Sequence, residues 1–351
     1  MEIREAMPDD NEALMALQSR CPQGKRLIIS VVNTPDFFAR AKAYESFKVY
    51  VALDKGSIVG SAAFAIRDAV VNGKINRVGY GFQAFVAPEY RRSGVISLLQ
   101  EACEQYAFQE NAILYYTLII EDNTPSIRWH EHTGLKRYRT LVVPALAVYK
   151  EMELKFSGTV RPARTEDLPA VAELLNETWQ DYELYGSTSA EKLLQFIRRT
   201  PAYDIDNLLV LQEGEEILAC LGYWEISKIM RVSVKVLSFK IRIIGILLRT
   251  LGKFRQVPNS IRPGDMLKQI LLTPIGFKKP GHLPALLRYV NNLVLPMGIE
   301  QIFLICERGH EMLKMTRGFI RAGTTYHLYV KSLQKSELKA GKPVFIDGID
   351  L

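Results

Sequence analysis

Clustered cysteines, long apolar runs and low-complexity tracts are missing from this chain. Its four cysteines (Cys21, Cys103, Cys220 and Cys306) lie about eighty or more residues apart, and none belongs to a CxxC or Cys/His cluster. That pattern excludes a disulfide scaffold and argues against structural zinc; free thiols in a reducing compartment are expected, and no metal. No run of eighteen uncharged apolar residues occurs, so no membrane span is expected. The first residues, MEIREAMPDD, are polar and hold no apolar stretch of a signal peptide. With 48% hydrophobic, 24% charged and 10% aromatic residues, the composition also excludes a disordered or collagen-like chain. What remains is a cytoplasmic globular protein whose 351 residues exceed one compact domain of usual size, so two domains are expected.

Acidic residues are absent from one stretch. Between Ile226 and Gly264 stand nine Lys and Arg residues and no Asp or Glu, and this element alone accounts for the net charge of +7. Val232, Val234 and Val236 alternate with polar residues as a half-buried strand would, and Ile241 to Phe254 reads as a helix. The charge suits an anionic partner: an acidic peptide, an acyl carrier protein or a membrane surface. Nucleic acid is not expected, since few aromatics stand among the basic residues to stack bases. The preferred reading is that this basic insertion, near 227–263, packs as an integral part of the C-terminal half and is not a free membrane-binding arm. Its strand would extend that half's sheet, and its helix would be covered by the protein or by a second subunit of a homodimer, with the charges at the rim.

The most informative feature is a repeat at an offset of 157 residues. Ile3-Arg4-Glu5-Ala6, Asp9-Asp10, Ala13 and Leu17 match Val160-Arg161-Pro162-Ala163, Glu166-Asp167, Ala170 and Leu174. Each copy reads as a short strand, an acidic turn and an amphipathic helix. Two hairpins follow, with turns at Lys55-Gly56 and Glu213-Gly214. Then come strands ending at Pro88 and at Pro274, each followed by helix, strand, helix and a Gly-apolar turn. The pattern predicts two tandem α/β domains with mixed sheets, 1–156 and 157–335, and a C-terminal tail over 336–351.

Two patches in the first copy carry chemistry. Phe85 to Leu99 is a strand, an arginine-rich turn (Arg91, Arg92, Ser93, Gly94) and a helix opening at Val95 and Ile96. A helix N-terminus offers unpaired N–H groups and positive potential, so a glycine and two arginines there suit a phosphate; a solvated arginine pair is the alternative. The second patch, Asn123 to Lys136, reads as a helix capped by Asn123 and closed by Gly134. It carries Ser126 and His130, the latter either an acid/base group or a packed helical histidine.

Taken together, the two patches resemble the GNAT superfamily of acyl-CoA-dependent N-acyltransferases. The turn Gln/Arg-x-x-Gly-x-Gly/Ala is matched by Arg91 to Ile96, and Asn-x-x-Ala/Ser-(x)3-Tyr-(x)3-Gly-Phe by Asn123, Ser126, His130, Gly134 and Leu135. The resemblance implies that Arg91 and the amides from Arg92 to Ile96 hold the pyrophosphate of acetyl-CoA. It implies that the backbone of Phe85 and Val86 pairs with the pantetheine arm, and that the Asn123 and Ser126 region holds that arm. The acceptor would be an amine on a small molecule or peptide. His130 stands where the family usually places a tyrosine that protonates the departing thiolate, and Ile96 replaces the last small residue of the turn. Glu121, at the end of the preceding strand, is the first candidate for a general base, ahead of Glu89 and Tyr80. The second copy keeps the element order but not the motifs. A non-catalytic acyl-CoA-binding module and an interaction protein using the basic segment are the rival readings.

Overall fold

The computed structural model describes residues 1–334, 338–339 and 341–351; the expected boundary between second repeat and tail, at 335/336, falls outside them. The first repeat runs β1 (Glu2–Glu5), α1 (Asn11–Ser19), β2 (Leu27–Asn33), β3 (Ser46–Asp54), β4 (Ser57–Val71), β5 (Lys74–Val86), α2 (Val95–Gln109), β6 (Leu114–Ile120), α3 (Thr124–His132) and β7 (Lys136–Ala147). The second runs β8 (Thr159–Pro162), α4 (Leu168–Trp179), α5 (Ala190–Arg199), β9 (Leu208–Glu213) and β10 (Glu216–Trp224). It continues through β11 (Met230–Leu237), α6 (Phe239–Leu251), β12 (Met266–Leu267), β13 (Gln269–Phe277), α7 (Leu283–Val294), β14 (Gln301–Phe303), β15 (Cys306–Glu307), α8 (Met312–Met315) and β16 (Arg321–Ser332).

The repeat is reproduced at the level of atoms. Arg4 grips both carboxylate oxygens of Asp10 at 2.7 and 2.9 Å, and the Met7 amide donates to the same carboxylate. Arg161, Asp167 and the Arg164 amide repeat that arrangement at 2.6, 2.9 and 2.7 Å. Each aspartate thus fastens a strand to the first turn of the next helix, where negative charge is favoured. The arginine partner holds both carboxyls below their ordinary pKa.

One large mixed sheet runs through the molecule in the order β1-β3-β4-β5-β6-β16-β7-β14-β13-β10-β9-β8. The final strands of the repeats are exchanged. β16 lies between β6 and β7, while β7 pairs β14 of the second repeat, and the two final strands join antiparallel at the centre. The repeats therefore do not form two separate sheets; each is completed by the other's last strand.

Three local expectations need correction. β13 does not end at Pro274 but continues to Phe277; the β10 register shifts between Leu221 and Tyr223, so Thr273 and Pro274 have no ladder partner and the proline is tolerated. The basic segment does form a strand, β11, but it joins β2 of the first repeat and β12 in a separate three-stranded sheet instead of extending the main one. A bulge between Val234 and Val236 breaks the alternation, leaving Val234 buried and Val236 exposed. The following helix α6 is not covered by the rest of its own chain: Phe239, Ile244, Ile246 and Leu247 are exposed.

The C-terminal residues 343–351 do not hang free. Phe345 donates its amide to the Glu183 carbonyl and Val344 to the Glu307 carboxylate. Val344, Ile346, Ile349 and Asp350 are buried. We call this segment the strap.

Candidate functional site

β5 and β6 are parallel neighbours only over Val78–Gly81 and Leu114–Thr117. Beyond Gly81 and Thr117 the ladder stops, although β5 runs on to Val86 and β6 to Ile120. The strands part into a wedge at their carboxyl ends. Because they are parallel, the helices that follow, α2 and α3, begin at the same end of the sheet. In α/β proteins ligands bind at such places. Phe85 and Val86 lie on the far stretch of β5, opposite Ser61 and Gly60 of β4. The Val86 carbonyl also lies 3.4 Å from the thiol of Cys21.

The turn before α2 has the features that suit an anion. Arg92 and Gly94 have left-handed backbone, φ +68° and +85°. Gly94 is the N-cap of α2, no side chain caps the helix, and its first turn holds no acidic residue. A Cβ at Gly94 would meet nothing within 4 Å, so the space over the first N–H groups is open. Arg91, Arg92, Ser93 and Gly94 are exposed, Val95 is buried and Ile96 half-buried. Tyr90 anchors the turn from below through a 2.7 Å bond to Asp54. Glu89 is exposed and ion-paired with Arg20 at 2.5 Å.

α3 opens as its sequence suggests, with the Asn123 side chain accepting from the Ser126 amide at 3.3 Å. His130 lies one turn on. Its Nδ1 is 2.7 Å from the Ser126 carbonyl and 3.2 Å from the Ser126 hydroxyl. A carbonyl only accepts, so Nδ1 carries the hydrogen, and Nε2 of the neutral ring holds a lone pair. Burial pushes the pKa of His130 down from its ordinary value, opposed by the bond to Ser126. The ring stands edge-on to Trp129 at 4.7 Å and tilted towards Tyr329 at 6.4 Å. Glu121 sits at the end of β6, half exposed, with a carboxylate oxygen 3.8 Å from Nε2 of the buried His327.

Several residues at the wedge escaped sequence reasoning. Gln83 lies at the β4–β5 irregularity with φ +48°, and it is buried with neither amide atom partnered. Ser61, fully buried on β4, also has an unpartnered hydroxyl. Unpaired buried polar groups are costly, and beside an open strand edge they suit a polar ligand. A second group closes the throat of the wedge, where Tyr80 of β5 stacks on Tyr116 of β6 at 4.9 Å. Asp350 of the strap accepts from the hydroxyls of Tyr44 and Tyr116, each at 2.8 Å, and lies 3.4 Å from Arg67. The Tyr80 hydroxyl donates to the Asp350 carbonyl. Burial raises the pKa of all three tyrosines, so none is an ionised base at neutral pH. No local motif marks Asp350, because its partners come from 234 or more residues away.

The second repeat has the corresponding wedge, with β13 and β14 paired only over Gln269–Leu271 and Gln301–Phe303. It is filled by the chain itself. Val344 to Gly348 line up against Leu272, Thr273, Ile275 and Cys306, leaving a cavity of about 20 Å³. Thr273 donates to Asp347, and a Cβ at Gly348 would lie 2.4 Å from the Leu272 carbonyl oxygen. Lys278, at the shadow of the arginine turn, is ion-paired with Glu216, and Glu307 is held by Arg139 at 3.1 Å.

Residues 11–135 match the family model described as Acetyltransferase (GNAT) family. No curated protein sequence matches the chain. Among solved structures, a GCN5-related N-acetyltransferase from Sphaerobacter thermophilus aligns with a TM-score of 0.57 at 16% identity, over 96% of each chain. N-myristoyltransferase from Saccharomyces cerevisiae, solved with myristoyl-CoA, aligns with a TM-score of 0.67 at 10% identity, over 96% of this chain and 83% of that one. At such identities the likeness is one of fold.

Proposed function

We propose that this chain, whose residues 11–135 match the GNAT acetyltransferase family model, is an N-acyltransferase acting on acetyl-CoA and an amine of a small molecule or peptide. The observation that carries the reading is the asymmetry of the two wedges. The first has an open phosphate turn at one lip, and the second is plugged by the strap. In this reading the repeats, 1–156 and 157–335, divide the labour: the first takes the nucleotide, and the second supplies structure around the acceptor. The tail over 336–351 supplies the strap.

Arg91, Arg92 and the amides from Ser93 to Ile96 would hold the pyrophosphate, with Gly94 leaving room for it. The free edge of β5 at Phe85 and Val86, with Gln83 beneath, would pair with the amides of the pantetheine arm. Asn123 and Ser126 would support that arm through the start of α3. The bound co-substrate supplies the activated acyl group. The chain's own residues exclude water, orient the amine and manage two protons. One proton leaves the attacking ammonium, with Glu121 as its acceptor at the exposed end of β6. The other reaches the departing thiolate, and His130 can give it only as imidazolium. Its lowered pKa makes that form scarce at neutral pH, so positioning carries the larger share of the rate. The reaction would proceed in the cytoplasm.

Calorimetry with acetyl-CoA tests this reading. One site per chain is expected, and Gly94→Val should abolish it by filling the space over the α2 amides. Two equivalent sites, or full affinity in the variant, would refute it. Thiol release with a panel of amines then separates a transferase from a module that binds acyl-CoA without turnover.

A further inference from the structure

Helix α6 turns its apolar side outward. Only Ile241, Gly245 and Leu248 face inward, Ile241 against the apolar side of the three-stranded sheet. On the other side Phe239, Ile243, Ile246 and Leu247, with Phe254 just past the helix end, are between 40% and 83% exposed. At 3.6 residues per turn the four helical positions form one continuous arc. An isolated exposed leucine needs no explanation, but a contiguous apolar helix face does.

The border of the arc is basic. Arg242 and Arg249, two turns apart, line up along one flank, and Arg262 approaches from the loop after the helix. With Leu237, Ile261 and Pro263 these arginines surround an open cleft of about 590 Å³. Among the described residues no carboxylate pairs with the guanidinium of any of the three, although the Arg262 backbone amide donates to Asp265 at 2.6 Å; the Arg249 guanidinium donates to the Ser260 hydroxyl at 3.2 Å. A second copy of this chain would answer the apolar arc poorly. A twofold contact centred on α6 would set these arginines against themselves, and the segment from Ile226 to Gly264 holds no acid to answer them. A surface of negative charge over hydrocarbon answers both features at once. No helix among the described residues is long and apolar enough to cross a membrane, so the geometry is that of a helix lying in the interface.

We propose that α6 docks the protein on anionic lipid, its apolar arc in the acyl boundary and Arg242, Arg249 and Arg262 at the phosphates. Held this way, the three-stranded sheet is the mount that joins the membrane contact to both repeats, through β2 of the first and β11 of the second.

Co-sedimentation of the full chain with vesicles tests the proposal. Binding is expected to phosphatidylcholine vesicles containing phosphatidylglycerol, with little to phosphatidylcholine alone, and it should weaken as salt rises. Replacing the three arginines together (Arg242→Glu, Arg249→Glu, Arg262→Glu) should weaken binding by at least about 100-fold, given the usual contribution of each basic residue near an anionic surface. Replacing Ile243, Ile246 and Leu247 by Ser should abolish it. All six side chains lie on the surface, so the urea midpoint should hold. A separate readout needs no loss of binding. Because all four native thiols are buried, Ile246→Cys can be labelled selectively with an environment-sensitive fluorophore, whose emission should shift to the blue on anionic vesicles. Equal binding to neutral vesicles, no binding to anionic ones, or an unshifted label would overturn the proposal. So would lipid-free dimers that the Ser variant breaks, because the arc would then belong to a second copy.

Discussion

Adding one methyl group at Gly348 should disable the strap. The Cβ of Gly348→Ala would sit 2.4 Å from the Leu272 carbonyl oxygen and 3.0 Å from Thr273 Cβ. Ordinary contact begins near 3.4 Å, and the obstacle is β13 backbone, held in the central sheet and unable to yield. The strap must therefore move. Overpacking of this kind usually costs about 1–3 kcal/mol, and a rigid receiving side puts this case at the top, about 3 kcal/mol. The ceiling is set by complete release of the strap. Release would expose Val344, Ile346 and Ile349, each contributing about 1.5–3 kcal/mol when fully buried, and would leave Arg67 without Asp350. Urea denaturation measures the loss, and hydrogen exchange at the Val344 and Phe345 amides locates it. Gly281→Ala is the control: nothing lies within 4 Å of that Cβ and its φ is not positive, so a change within about 0.5 kcal/mol is expected. On the proposed function, turnover should fall with release of Asp350 from the Tyr44, Tyr80 and Tyr116 cluster, while acetyl-CoA binding at the first repeat survives. An unchanged urea midpoint with undiminished protection at Val344 would refute the reasoning.

The repeated aspartate clamps give a matched pair of tests. Asp10→Asn and Asp167→Asn should each cost about 1–2 kcal/mol, since each loses a charge-assisted pair that is only partly shielded from solvent. The two effects should add, which a urea series on the double variant checks. Both carboxyls are held below their ordinary pKa in the folded chain. Their stabilisation is therefore complete above the unfolded-state pKa, near 4, and is lost as pH falls through the lower folded values. Stability measured from pH 6 down to pH 3 should drop less in the double variant than in the parent. If His130 protonates the thiolate, the saturated rate should fall as pH rises through a value below the usual histidine range, and His130→Phe should lose that limb while still binding acetyl-CoA. A flat profile in the parent would make His130 a packed helix residue.

Much of the local structure could be read from the chain, and the limits fall along a physical line. Arg4 and Asp10, or Lys55 and Gly56, specify contacts within a few residues, so their strand, clamp and turn follow from short-range chemistry. The arginine turn and the Asn123 cap are legible for the same reason. β11 was recognisable as a strand, but alternating valines do not say which edge they will meet, and β2 lies about two hundred residues earlier. The strap was harder still. Val344 to Asp350 is too short for either periodicity to register, and its burial depends on a wedge assembled from distant strands. The outward face of α6 was not legible at all, because apolar residues at helical spacing look the same whether a helix packs against its own chain or turns outward.

The exchanged final strands also bear on how this molecule could move. Two lobes joined by a linker can close over a substrate like a jaw, bending at a few residues. Here the seam between lobes is a ladder, β7 against β16, with β6 and β14 hydrogen-bonded on its outer flanks. Bending across that seam would break the ladder hydrogen bonds from Arg321 to Val330 together. On the proposed function, admission of an acceptor would fall to segments outside the sheet, such as the connection between β2 and β3 and the strap. Two lobes moving as one body, with any motion confined to loops and the strap, is the behaviour such a seam dictates.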